Sequence, residues 1–387
     1  MNTEKIFKSC LTLFSLYIAV IFFVGVLYDA GQKPFWKDET HGIEQSSRRM
    51  SYAQLLTQGA PAQGSPSPLD YIIIKFVDQF KSKGSYPDEV YYRIFPAFIT
   101  VFCLFMAMMQ LKKKIFDGQN STAVKLVQTY LVILIPFAYL FTTMVFYYAK
   151  ETRPYTLWNS LYFLSLVLFL FYPSKKIGLI VTLSLLGFTA TASVFQMAAL
   201  VMAFMIVCLI QKTSLKKIFY DSAAIFFIPF VVALYYCFKT GKWNMIDAGG
   251  DWGDFLKFWQ HHMTIVPLML CGLALALLHP DNRGFAVVPL AYLILYLLGP
   301  VIFWATQWKG FFFIDRQFIY YEMKYALLLI SALLCIPAYL KNLKSSVAIV
   351  CILIMISGIA SAVGLKDKYL KRFVQIQKNA FTVLSGL

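Results

Sequence analysis

The chain has 387 residues, of which 59% are hydrophobic and only 14% charged, with a mean hydropathy of +0.65. A soluble domain carries roughly 25% charged residues, so composition excludes an ordinary soluble enzyme and places most of the chain in a bilayer. A net charge of +16 would suit nucleic acid. Here, however, the lysines sit in short loops beside apolar spans, where positive-inside topology and anionic headgroups account for them. The partner these charges imply is the lipid bilayer, and no nucleic acid. The cysteines (Cys10, Cys103, Cys208, Cys237, Cys271, Cys335 and Cys351) each fall alone in a hydrophobic run, as small packing residues do. The four histidines lack zinc spacing, and no metal-binding residue is assigned.

Apolar runs of about 17–25 residues qualify as transmembrane helices. The first, 6–28, is longer than a signal-peptide core and lacks a small-x-small cleavage site, so it reads as a permanent helix. Further spans follow at 91–111, 124–148 and 155–172. Lys5 and Lys8 precede the first span, Lys112-Lys113-Lys114 follow the second and Lys175-Lys176 follow the fourth. Placing these clusters in the cytoplasm puts loop 29–90 outside, together with residues 150–155. Residues 178–211 read as two short helices turning near Thr191-Ala192-Ser193. A helix at 221–238 leads to an outer loop 239–262 carrying Trp243, Trp252, Trp259 and His261-His262. Spans 263–278 and 285–305 flank a short His-Pro-Asp-Asn-Arg turn. An outer segment, 306–322, holds Lys309, Asp315, Arg316 and Glu322, and the last spans are 323–338 and 346–364. The expected fold is an all-α polytopic membrane protein with about eleven spans in residues 1–365. The tail, 366–387, has apolar and basic residues at helical spacing, the pattern of an amphipathic helix on a membrane surface.

Loop 29–90 has structure of its own. Ile43 to Gln58 and Leu69 to Lys81 show helical apolar spacing on either side of a Gly/Pro/Ser-rich breaker, predicting two amphipathic interfacial helices over the bundle. The loop opens on Asp38-Glu39, two carboxylates just past the first span, where charge is costly unless paired or functional. An Asp-Glu pair in a loop can equally cap the next helix, through Asp38 or Thr40. Ser67-Pro68-Leu69 opens the second amphipathic run, Tyr92-Arg93-Ile94-Phe95-Pro96-Ala97 the second span, and Tyr148-Ala149-Lys150-Glu151-Thr152-Arg153-Pro154-Tyr155 the fourth.

These four motifs, in this order over roughly the first 175 residues, resemble the GT-C fold glycosyltransferases that use polyprenyl-phosphate sugars, the group of the protein mannosyltransferases and the lipid A aminoarabinose transferase. The resemblance implies a GT-C-like bundle. It also implies transfer of a sugar from a polyprenyl-phosphate donor to an acceptor hydroxyl of a glycolipid, polysaccharide or protein, usually with inversion. The site would face the extracytoplasmic side of the membrane, the inner membrane if the source is bacterial. The family motif puts the base on Asp38; Glu39 would position the acceptor, bind a metal or hold a cation. Donor phosphate and sugar would meet Arg153, Glu151 and Tyr155, with Arg93 at the head of the second span. A further cation from the late outer segment would be Arg316 or Lys324, with Arg316 preferred and Asp315 and Glu322 as tethers.

The residues suit these roles and also plainer ones. Arg153 offers the planar fork that matches phosphate oxygens, yet an interfacial arginine paired with Glu151 would simply snorkel. Arg93 has the same structural reading. Relatives often carry a His between the fifth and sixth helices, where this chain has Thr191, Ser193 and Gln196. No cofactor is therefore assigned, and a divalent metal is left open, with His41 or His261-His262 as stand-ins. Two competing functions remain: a flippase or transporter of a lipid-linked sugar, and a non-catalytic subunit docking through loop 29–90. Transporters tend to carry internal repeats and mid-membrane charge, and neither is seen here.

Overall fold

In a computed structural model, residues 3–60, 67–81, 88–117, 121–172, 174–239, 252–308, 315–340 and 367–385 are described, and among them every regular element is helical. Among the described residues five helices are long and apolar enough to cross a membrane, or up to seven if each of two bent pairs is one span. The expected span 346–364 lies outside the described residues. Two further apolar helices, Val124–Leu140 and Lys176–Thr189, are shorter. These apolar helices mark an integral membrane protein.

Helix α1 (Thr3–Gly31) sets the axis. Its Leu13, Leu16, Tyr17 and Val20 recur at helical spacing and are all exposed, an apolar stripe of the kind a lipid-facing helix presents. The next segment follows as α2 (Lys37–His41), a π-helical turn (Gly42–Arg48), α3 (Tyr52–Gln58) and α4 (Leu69–Phe80). The expected helix 43–58 is thus two pieces. Ser51 is why: its side chain accepts from Gln54 N while Gln54 returns a bond to Ser51 N, a capping box that starts a new helix. Next, α5 (Asp88–Asp117) runs antiparallel to α1: Arg93 bonds the carbonyl of Ala30 at one end, and Lys112 meets Thr12 at the other.

The expected span 124–148 is broken into α6 (Thr122–Leu140) and α7 (Thr143–Tyr148), because Thr142 between them is extended rather than helical. Then α8 (Pro154–Phe169) is buried on all sides, with only Tyr155 partly exposed. A helix buried all round belongs in a core, and α8 is the central helix, packed on α5 and α9. Helices α9 (Lys176–Thr189) and α10 (Ser193–Ile210) turn at residues 190–192, where the sequence predicts it. Gln196 on α10 accepts from the Trp158 indole of α8 at 2.5 Å, deep in the bundle. Helix α11 (Leu215–Lys239) packs on α9.

The predicted outer loop 239–262 is corrected in its second half, which forms α12 (Trp252–Met263); Trp243 lies outside the described residues. Trp252, Phe255 and Trp259 share one helical face and stack on Trp304, Phe303 and Tyr296 respectively. That aromatic seam turns a tryptophan-rich stretch into a packed helix bent by 45° against α13 (Val266–Leu278). The expected short turn at residues 279–283 is part of a 3-10 helix, Pro280–Ala286. The expected span 285–305 is likewise bent, into α14 (Val287–Leu297) and α15 (Gly299–Trp308), at 48°. A 3-10 segment (Asp315–Met323) then leads into α16 (Lys324–Leu340).

The tail forms α17 (Asp367–Ser385). It packs against α1 instead of lying on lipid alone: Ile376 and Ala380 are fully buried, Phe373 wedges against Phe137 and Phe141, and Asn379 donates to Asp29. Close approach is set by Gly25, where a Cβ would collide with the Ile376 carbonyl and stand 2.7 Å from its Cγ2. Small residues permit such contacts between helices in lipid. Gly25→Val is therefore expected to cost about 1–3 kcal/mol by overpacking and to loosen α17. Faster tryptic cleavage around Lys371, Arg372 and Lys378 would register it, and cleavage at the wild-type rate would contradict the packing.

Candidate functional site at the Glu39–Arg93 end of the bundle

Two ends of α1 carry different chemistry. Near its start Glu4 meets Lys8 and Lys125, each at 3.1 Å, and Lys112 meets Thr12. Near its finish Asp29 meets Lys150 and Asn379, and Ala30 and Lys33 offer their carbonyls to Arg93 at 2.6 Å each. The predicted polar motifs thus converge on one end of the bundle, away from a basic cluster at the other.

Glu39 and Arg93 are 1% and 0% exposed and form a fork-to-fork ion pair: Nη2 to Oε2 at 2.7 Å and Nε to Oε1 at 3.1 Å. Glu39 also accepts the backbone N–H of Trp36 at 3.0 Å and of Thr152 at 2.6 Å. A carboxylate has about four acceptor positions, and four donors occupy those of Glu39. As placed, it has none to offer a metal, and the metal-binding role weighed for it does not fit; its partner is the cation Arg93. Among the described residues no group of three His, Cys, Asp or Glu side chains could hold a metal ion. His41 is exposed and His262 is buried.

Glu151 is 1% exposed and accepts from Lys33 at 2.6 Å, whose ammonium lies 4.3 Å from the Tyr147 ring centroid and 4.8 Å from that of Trp36. Lys150 pairs with Asp29 and lies over Phe146; burial lowers its pKa, against the opposing pull of Asp29. Residues 29–39 and 147–152 are therefore sewn together by at least three polar contacts, and Glu151 is held by Lys33.

Arg153 is the N-cap of α8, in extended geometry, with no side chain capping the helix and Pro154 at its first position. An α-helix leaves its first N–H groups unsatisfied and its N-terminus partially positive, so Arg153 adds a full charge to an end already suited to anions. Its guanidinium lies over the Tyr155 ring, 5.7 Å from the centroid. Its charge reaches Asp70, which none of the motifs includes. Asp70 is 2% exposed, and burial pushes its carboxyl up to about 7, with Arg153 lowering it and Glu39 raising it. An acid in a helix's first turn ordinarily reads as a favourable dipole contact. The signal that could have found it is register: Asp70, Ile74 and Val77 share one buried stripe of α4.

The side chains of Asp38, Asp315 and Arg316, and all of Lys309, lie outside the described residues. Asp38 sits by its backbone in α2, one residue before Glu39. The 3-10 segment bearing Arg316 packs on α7 and α8. Lys324 is buried, with its Nζ 3.0 Å from His262 Nδ1, so the second candidate cation is engaged by a histidine of α12.

Removing one partner of a buried ion pair strands the other's charge, at about 3–5 kcal/mol. Glu39→Gln should therefore lower the melting temperature of the detergent-solubilised protein markedly and reduce its yield, as followed by size-exclusion profiles after heating; an unchanged transition would contradict the clamp. No protein-family model matches this chain, and no curated protein matches it.

Proposed function

We propose that the protein is an integral membrane glycosyltransferase of GT-C-like architecture, with about eleven spans, that moves a sugar from a polyprenyl-phosphate donor to an acceptor hydroxyl on the extracytoplasmic face. The observation that supports this most is the uncapped N-terminus of the central helix α8, bearing Arg153, beside the segment that carries Asp38-Glu39. An anion site on a helix otherwise surrounded by apolar helices suits a ligand that is charged at one end and lipid at the other.

In this reading Asp38 takes the proton of the acceptor hydroxyl as its oxygen attacks the anomeric carbon from the face opposite the phosphate. The bond from that carbon to the phosphate oxygen breaks, the phosphate keeps the electron pair, and configuration inverts. Charge growing on the departing phosphate is met by Arg153 and the α8 N-terminus, aimed where negative charge develops. Arg316 is the candidate for a second contact. Glu39 and Arg93 hold the segment on which Asp38 is carried, and Glu151 ties residues 147–152 to Lys33. Glycolipid, polysaccharide and protein acceptors all offer the required hydroxyl.

Purified protein supplied with a polyprenyl-phosphate sugar and an acceptor should release free polyprenyl phosphate, which a flippase would not. Asp38→Asn should slow that release by about 10²–10⁴-fold, the usual contribution of a positioned base, with the melting temperature unchanged. Full activity in Asp38→Asn would sink the assignment of the base. Transport of intact lipid-sugar without release would sink the enzyme.

A further inference from the structure

On the two segments that carry Asp70 and Arg153 the described structure leaves several buried polar atoms without a hydrogen-bond partner. They are Oδ1 of Asp70, Oγ of Ser67 three residues before it, and the hydroxyls of Thr152 and Thr156, which lie either side of Arg153. All four residues are at least 98% buried. Native proteins satisfy nearly all such groups, and each exception calls for an explanation such as a ligand or water. These segments are the first turn of α4 and the start of α8, whose Arg153 acts electrostatically on Asp70.

The charges near Asp70 can be traced element by element. The π-helical turn directs Arg48 to Asp78 and exposes Glu44; α5 directs Arg93 to Glu39, pairs Asp88 with Lys81, carries Glu89 in the same first turn and holds Lys112, Lys113, Lys114 and Asp117 at its far end; α3 carries no charge; and α9 carries only Lys176, at its first residue. The charges that act on Asp70 are thus Arg153 and Glu39.

We propose that Asp70 is a proton-carrying ligand-binding residue of the α8 N-terminal site. As a carboxylate it balances Arg153 in the ligand-free protein. When a lipid phosphate takes that place, Asp70 accepts one proton from solvent and donates a hydrogen bond to a phosphate oxygen. No covalent bond of the ligand changes in this step. The inference rests on the donor class proposed above and adds a coupling between donor binding and pH. Burial already brings the carboxyl up to about 7, and an incoming phosphate charge raises it further, as like charges do. Binding is therefore strongest below about pH 7. Above it, affinity falls by up to about tenfold per pH unit, the slope of one linked proton.

The test is calorimetric titration of the detergent-solubilised full chain with undecaprenyl phosphate, in buffers of different ionisation enthalpy. Wild type should take up close to one proton more per lipid than Asp70→Asn near pH 8, which also cancels the phosphate's own ionisation. Arg153→Gln should weaken binding in both backgrounds. Infrared difference spectra of wild type give a second readout, which needs no variant to fold: a protonated carboxyl band should grow as lipid is added. Equal proton uptake by wild type and Asp70→Asn, with lipid bound by both, overturns the role of Asp70 and leaves the donor reading standing. If Asp70→Asn does not fold, the lack of a new carboxyl band in wild type that binds lipid overturns it equally. No binding by wild type at any pH overturns the donor reading, and this inference with it.

Discussion

The arrangement at this end of the protein depends on one buried ion pair. Glu39 and Arg93 come from segments 54 residues apart, and each spends its remaining hydrogen-bonding capacity on backbone. Arg93 gathers the carbonyls of Ala30 and Lys33 where α1 has run out, and Glu39 takes the amides of Trp36 and Thr152. Three stretches of chain are thereby held at one point: the exit of α1, the entry of α5 and the approach to α8. A buried pair is weak evidence for net stability, since desolvation offsets much of the attraction. What it supplies here is registration, because a planar fork against a carboxylate tolerates little displacement.

From that registration follows the placing of α8. With Thr152 N bonded to Glu39, the next residue, Arg153, stands at the mouth of the buried helix α8. Buried charge at a membrane boundary is costly, yet Lys33–Glu151, Lys150–Asp29 and Arg93–Glu39 all lie within these few segments. Each is paired, and aromatic faces of Phe35, Tyr147, Trp36 and Phe146 lie against the cations. The effect is a paired polar plate closing one end of the bundle, with the N-terminus of α8 and Arg153 next in sequence.

Elsewhere tertiary packing redirects local patterns. The tail has the two-faced composition of a surface-lying helix, but its apolar face finds α1 and Phe137, Phe141 before it finds lipid. The tryptophan-rich stretch before α13 resembles an interfacial loop, yet its rings have the spacing to stack on α14 and α15 and so make a helix. Both outcomes follow from the same rule: an amphipathic segment adopts whichever apolar partner removes more of its surface from water.

By itself the sequence determined the class of protein, most helix positions and the two motifs that meet. Twenty-residue apolar runs have few alternatives in a bilayer, where every backbone group must be satisfied internally, and lysine clusters distinguish their two ends. The turn at residues 190–192 and the shared end of Glu39 and Glu151 were legible on those grounds. Only the tertiary structure decided what each charged side chain does there. It made Glu39 the partner of Arg93, bound Glu151 to Lys33 and Lys324 to His262, and buried Asp70. Those choices are invisible along the chain because charge pairing depends on which distant segments are brought within a few ångströms. An aspartate in the first turn of an amphipathic helix looks the same in sequence whether its face meets water or the protein interior.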